Sequence, residues 1–158
     1  MSNQKLSDIE VQPGSILRTY SAMEAEDLAA KWLAVFGGSG APNTKDYMWH
    51  VLSYQAYPSV SLAKAQNQYE LQMAPSFVVL SNDRDKAIET DRRPVSCSES
   101  DYFVFPPNMA WTMAFTHEDG WLGPYFAKHS QYEKLNRENI TKIEKARAIE
   151  QARQKGWL

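Results

Sequence analysis

The chain has 158 residues, of which 43% are hydrophobic and 23% charged, with a net charge of −2. This length and composition predict one domain over residues 1–158, with a core that needs no metal or disulfide. The lack of a basic excess argues against a protein that grips nucleic acid. Short apolar stretches argue against a signal peptide and a membrane span. The lone Cys97 is typical of a reducing cytoplasm, where we expect the protein to reside.

The first half of the chain alternates turn signals with short apolar segments. Residues 1–13 are predicted to be a flexible leader that ends at a Pro-Gly turn. Ser21 and Glu24 have capping-box spacing before a helical pattern that stops at two glycines. The predicted elements are a strand over 15–20, a helix over 22–36, a strand over 47–54 and a helix over 60–73.

The second half contains the strongest strand signal of the chain. Residues 109–116 alternate large apolar side chains with Ala and Thr, and together with 102–105 they predict an antiparallel hairpin. The other predicted elements are a strand over 76–80, a weaker strand over 86–90 at a sheet edge, loops over 91–100 and 117–128, and a helix over 131–155. The fold class is therefore predicted as α+β, a mainly antiparallel sheet packed by two helices, plus a long C-terminal helix.

The predicted C-terminal helix is more basic than the rest of the chain. Ser130 and Glu133 have capping-box spacing at its start, and residues 131–155 carry an excess of three positive charges. Its apolar positions are sparse. The helix is either a solvated element docked by a narrow stripe or a partner-binding helix, through which a homo-oligomer would form.

His117 is the best single candidate for acid–base chemistry, because imidazole titrates near neutral pH. Glu118 follows it, but neighbouring strand residues point to opposite faces unless the chain turns there. Thr116, His117 and Glu118 therefore either stabilise a turn, bind a ligand or partner, or catalyse a reaction. A zinc-protease pattern fails because Trp121 stands where the second His is required. Cys97 lacks the signature of a thiol nucleophile, and neither a metal nor a cofactor is predicted.

Four acidic residues flank the ends of the predicted hairpin: Glu99, Asp101, Glu118 and Asp119. Clustered in space, they would attract a basic partner, with Trp121 and Tyr125 as aromatic anchors. The alternatives are ordinary solvated charge and a segment 123–126 that folds back onto the sheet and leaves no aromatic surface.

The segments Tyr102–Pro106, Trp111-Thr112, Thr116–Glu118 and Gly123–Phe126 together form a distinctive pattern. They resemble a family of small uncharacterised bacterial cytoplasmic domains, over about residues 15–130. Some proteins of this kind look like immunity proteins, small acidic partners that neutralise a toxin domain. The resemblance implies a common fold and carries over no activity.

Two functions follow as expectations. The first is a non-catalytic protein-binding domain, in its narrower form an immunity protein that occludes the active site of a toxin domain. It would dock through Glu99, Asp101, Glu118, Asp119, Trp121 and Tyr125, with no nucleic acid and no membrane involved. The alternative is a small hydrolase or ligand-binding enzyme with His117 as general base and Glu118 as its partner.

Overall fold

The computed structural model of the chain describes residues 9–38, 47–118 and 123–157. The helices and strands of these residues confirm the α+β class. In chain order they are β1 Val11–Gln12, β2 Ile16–Thr19, α1 Ala22–Phe36, α2 His50–Ser53, β3 Val60–Ser61, α3 Leu62–Leu71, β4 Phe77–Ser81, β5 Ala87–Thr90, β6 Ser96–Cys97, β7 Tyr102–Phe105, β8 Trp111–Phe115, β9 Tyr125–Lys128 and α4 Tyr132–Gln154.

Seven strands form one antiparallel sheet in the order β2-β5-β4-β7-β8-β9-β3, and β1 pairs with β6 separately. The predicted hairpin is the centre of this sheet, with Tyr102 opposite Phe115 and Val104 opposite Met113. Successive side chains of each strand point to opposite faces of the sheet, and a register shift within β2 interrupts the pairing of β2 with β5. The predicted antiparallel hairpin is therefore confirmed, and the structure supplies its register.

Helices cover both faces of the sheet. On one face, Trp32 and Phe36 of α1 pack with residues of α2 and with Phe103 and Phe105 of the sheet. On the other face, Tyr69 of α3 packs against alternate strand residues, which belong to a second cluster joined by the start of α4. Burying each large apolar side chain contributes on the order of 1.5–3 kcal/mol, so these two layers supply the main favourable contribution to folding.

Helix α1 begins and ends where the sequence predicts. The Ser21 side chain accepts from the Glu24 backbone amide at 3.1 Å, and the Glu24 carboxylate accepts from the Ser21 amide at 2.8 Å. This capping box satisfies two amides that the first turn leaves without helical partners. The Trp32 indole then donates to Thr112 Oγ1 at 2.8 Å and ties the helix to the sheet.

The strand predicted over 47–54 is wrong. This segment is a turn followed by the short helix α2. Its buried residues are Met48, Trp49, Val51 and Leu52, a helical rather than an alternating pattern. The aromatic and β-branched content that suggested a strand reflects burial against α1 and the sheet.

Three other expectations are corrected by non-local pairing. Strand β5 lies between β2 and β4 and not at an edge. The predicted loop 117–128 contains β9, whose register opposite β8 places Phe126 beside Met113. The predicted leader contains β1 and Ile9, which is 1% exposed, whereas residues 1–8 lie outside the described part of the chain.

Helix α4 is 23 residues and about 34 Å long, and its body-facing side chains lie in its first half. Asn139 is buried and donates to Asn108, whose amide in turn donates to the Leu135 carbonyl. The capping box predicted from Ser130 and Glu133 is absent: Gln131 is the N-cap and makes no side-chain cap bond. No helix within 9–38, 47–118 or 123–157 combines the length and apolar character that crossing a bilayer requires.

Candidate functional site

His117 lies two residues after the end of β8, and Asp101 lies immediately before β7. Because Tyr102 is paired with Phe115, the hairpin brings these two residues together at its open end, although they are 16 positions apart in sequence. The site is thus positioned by the register of the central strands of the sheet.

Asp101 is the acceptor at the centre of the site. Its Oδ1 accepts from the His117 backbone amide at 3.0 Å and from the Trp49 indole at 3.1 Å. The His117 Nδ1 lies 3.0 Å from both carboxylate oxygens. One carboxylate therefore joins the turn before α2 to both ends of the hairpin. Its side chain is 11% exposed, against 38% for His117.

The second ring nitrogen of His117 also faces a carboxylate. Its Nε2 lies 3.4 Å from Glu118 Oε2. The hydrogen bond with Asp101, opposed by partial desolvation and supported by the charges of Asp101 and Glu118, raises the pKa of His117. An imidazolium that donates from Nδ1 and faces a carboxylate at Nε2 is the form that this arrangement favours.

Aromatic rings surround His117 on the side of α2. The Tyr47 ring lies 5.2 Å from the His117 ring and 5.5 Å from that of His50, and His50 stacks on Tyr54 at 5.1 Å. We call Tyr47, His50, Tyr54 and His117 the aromatic patch. Tyr54 is 63% exposed, whereas Trp49 beneath the patch is 2% exposed. The patch is thus an outward surface on a buried aromatic base.

The structure brings only some of the predicted docking residues to this surface. Glu118 adjoins the aromatic patch, and its side chain is 32% exposed. The Glu99 carboxylate pairs with Lys86 at 2.9 Å. Tyr125 is 5% exposed because β9 is a strand of the sheet between β8 and β3, where the Tyr125 ring stacks on Trp49. Asp119 and Trp121 lie outside the described residues.

The turn after β8 has side-chain-to-backbone bonding of the kind expected for a structural turn. The Thr116 hydroxyl accepts from the Glu118 amide at 3.2 Å. Gly123 has φ +106°, and a Cβ there would lie 3.0 Å from Thr116 Cγ2. The positive φ and the lack of room for a Cβ both require glycine at this position. The backbone conformation just before β9 is therefore restricted to one that glycine adopts.

Sequence reasoning missed two features of this site. It paired His117 with Glu118 by adjacency, whereas Asp101 is the residue that orients the ring. It also missed Tyr47, His50 and Tyr54 as a surface because it assigned their segment to a strand. A helical reading of 47–54, with the apolar residues at 48, 49, 51 and 52 inward, would have placed these three side chains outward.

Three further features bear on metal binding, thiol chemistry and a substrate cavity. The described residues contain no cluster of three or more His, Cys, Asp or Glu side chains able to hold a metal ion. Burial raises the pKa of the Cys97 thiol to about 11, which makes it a poor nucleophile. Four cavities of 380–630 Å³ are lined by described residues, and His117 lines none of these four.

Comparison with known proteins gives one match. Residues 20–126 match the family model described as "Domain of unknown function (DUF4275)". This range spans α1 to the middle of β9 and contains Asp101, His117 and the aromatic patch. Searches of curated proteins and of solved structures found no match.

Proposed function

We propose that this chain, which belongs to the DUF4275 family of unknown function, is a non-catalytic binding protein that docks through the aromatic patch and Glu118. The observation that carries the proposal is the placement of His117. Its Nδ1 lies 3.0 Å and its Nε2 3.4 Å from carboxylates of this chain, and Tyr54 of the aromatic patch is 63% exposed. Aromatic side chains at a surface with a rigid base make good interface anchors.

The preferred partner presents a basic surface. The patch is bordered by the carboxylates of Glu118 and Asp101, with one His117 charge between them, and aromatic faces also attract cations. Complementary charge speeds encounter and excludes acidic partners. In the narrower form of the proposal, the protein is an immunity protein, and the basic surface is the active site of a toxin domain.

The direct test measures binding of purified proteins encoded by neighbouring genes, with calorimetry at moderate salt. Tyr54→Ala should weaken binding roughly tenfold or more, as loss of an interface anchor does. Trp157→Ala is the matched control, because Trp157 is 71% exposed at the far end of α4. Equal affinity of the two variants would contradict the docking face, and absence of any neighbour-encoded partner would contradict the immunity form.

Enzyme activity is the second candidate, because Asp101 holds Nδ1 of His117 as an orienting carboxylate holds a catalytic base. His117 would then be the base and Glu118 its second partner. Hydrolysis of chromogenic ester, amide and phosphoester substrates tests it. Turnover that His117→Gln abolishes and Tyr54→Ala leaves intact would favour the enzyme, whereas equal rates for wild type and His117→Gln would exclude this role.

A further inference from the structure

Strand β3 leaves part of its neighbour uncovered. It is two residues long and pairs Val60 with Phe126 and Ser61 with Tyr125. Pro58, just before it, lacks an amide hydrogen and cannot extend the ladder along β9. The last residues of β9, Ala127 and Lys128, therefore have no β3 partner on that edge.

A groove of about 580 Å³ lies at this uncovered edge. Its walls are mainly apolar and include Tyr57, Pro58, Val60, Phe126 and Ala127. The volume is within the range of roughly 300–1,000 Å³ typical of small-molecule sites. Val60 is 37% exposed, so the groove opens to solvent beside the edge strand.

Lys128 supplies the only charge among the described lining residues of this groove. Its Nζ lies 4.5 Å from the centroid of the Tyr132 ring, and the Tyr132 hydroxyl donates to Gln72 at 3.0 Å. Its backbone carbonyl accepts from the Tyr57 hydroxyl in the groove wall. The Lys128 backbone is thus fixed to the groove wall, and its side chain is ordered by Tyr132 just outside the groove, which lowers the ordering cost of binding.

We propose that this groove binds a small carboxylate with an apolar body, which lies against Val60 and Phe126 with its carboxylate at Lys128. The site is separate from the aromatic patch and does not rest on the function proposed for it. An apolar wall beside one cation matches an amphiphilic anion better than a neutral or a cationic molecule. The apolar body of such a ligand is buried against the wall, and its carboxylate pairs with the Lys128 ammonium.

Octanoate titrated into the full chain by calorimetry tests this, with 1-octanol as the matched neutral probe. We expect saturable one-to-one octanoate binding and weaker binding of 1-octanol. Lys128→Met should weaken octanoate binding about three- to tenfold and leave 1-octanol unchanged, as removal of a partly exposed charge pair predicts. Lys142→Met, at an exposed position of α4, is the charge control and should bind as wild type does.

Val60→Trp, which fills the groove, should abolish binding of both probes, with an unchanged circular dichroism spectrum showing that the fold is intact. Lack of saturable octanoate binding at concentrations up to about 1 mM would overturn the proposal. So would octanoate affinity that neither Lys128→Met nor Val60→Trp changes, or equal affinities for octanoate and 1-octanol.

Discussion

Asp101 is the residue whose removal tests the geometry of the site most sharply. Asp101→Ala deletes the acceptor of two bonds from His117 and one from the Trp49 indole. Trp49 is 2% exposed, so its indole N–H would lose its partner where water has little access. An unsatisfied buried donor costs about 1–3 kcal/mol, and the half-exposed His117 donors add less than about 1 kcal/mol because water replaces their partner.

The expected loss is therefore about 1–4 kcal/mol in the free energy of unfolding, measured by urea denaturation at 25 °C. In a chain of this size each kcal/mol lowers the melting temperature by roughly 2–4 °C. Asp101→Asn should cost less than about 1 kcal/mol, because its amide oxygen still accepts from Trp49 and from the His117 backbone. Asp27→Ala, at an exposed position of α1, is the control and should change stability by less than about 0.5 kcal/mol.

Comparison of the alanine and asparagine variants separates loss of the hydrogen-bond acceptor from loss of the negative charge. If Asp101→Ala were as stable as the control, the buried indole would not depend on this carboxylate. If the asparagine variant lost as much as the alanine variant, the charge and not the acceptor geometry would dominate. Either result would refute the account of Asp101 as a hydrogen-bonding centre.

Four further variants or measurements test other contacts. Because the folded-state pKa of His117 is raised, its stabilising contribution is present below the unfolded pKa of about 6.5 and is lost as the pH rises through the folded pKa. His117→Gln should therefore lower the urea midpoint more at pH 5.5 than at pH 8.5, and an equal loss at both would contradict the ion pairing. Thr112→Val removes the acceptor of the buried Trp32 indole and should cost about 1–3 kcal/mol in urea unfolding; no loss would show that another acceptor replaces it. Alkylation of Cys97 by iodoacetamide at pH 8 should be at least roughly tenfold slower in the folded chain than in urea, because burial raises the thiol pKa from 9.0 to about 11 and the smaller thiolate fraction outweighs the greater nucleophilicity of that thiolate; equal rates would contradict that burial. A chain ending at Arg147 keeps the packed half of α4 and should elute and melt as the full chain does if this helix is only a solvated element, whereas a smaller oligomer on size exclusion would identify the exposed half as a self-association element.

The elements that the sequence predicted well are those whose signals are local. Helix α1 has both a capping box and a long apolar face, and the hairpin β7–β8 has a clean alternation over residues 109–116. In both elements, residues that are close in sequence determine the backbone conformation. Prediction needed no knowledge of distant partners.

The segment 47–54 shows why other elements were missed. Helix α2 has four residues, too few for a helical period to be recognised. Contacts from far along the chain hold it: the Met48 amide donates to Asn82 at 3.0 Å, and Trp49 donates to Asp101. Such a helix is stable only inside the finished fold, because isolated short helices are marginal in water. Residue preferences therefore could not distinguish it from a strand.

The site itself was within reach of the sequence, through pairing and not through adjacency. A hairpin with residue 102 opposite residue 115 places 101 opposite 116, one position from 117, at its open end. The pairing therefore marks Asp101 as a neighbour of His117, but the side-chain contact also needs the turn after β8, because strand alternation alone would point 101 and 117 to opposite faces. Asp101 also accepts hydrogen bonds from Trp49 and from the His117 backbone, so it is part of the fold as well as of the site. Its carboxylate therefore fixes the turn beneath the aromatic patch whichever partner the patch binds.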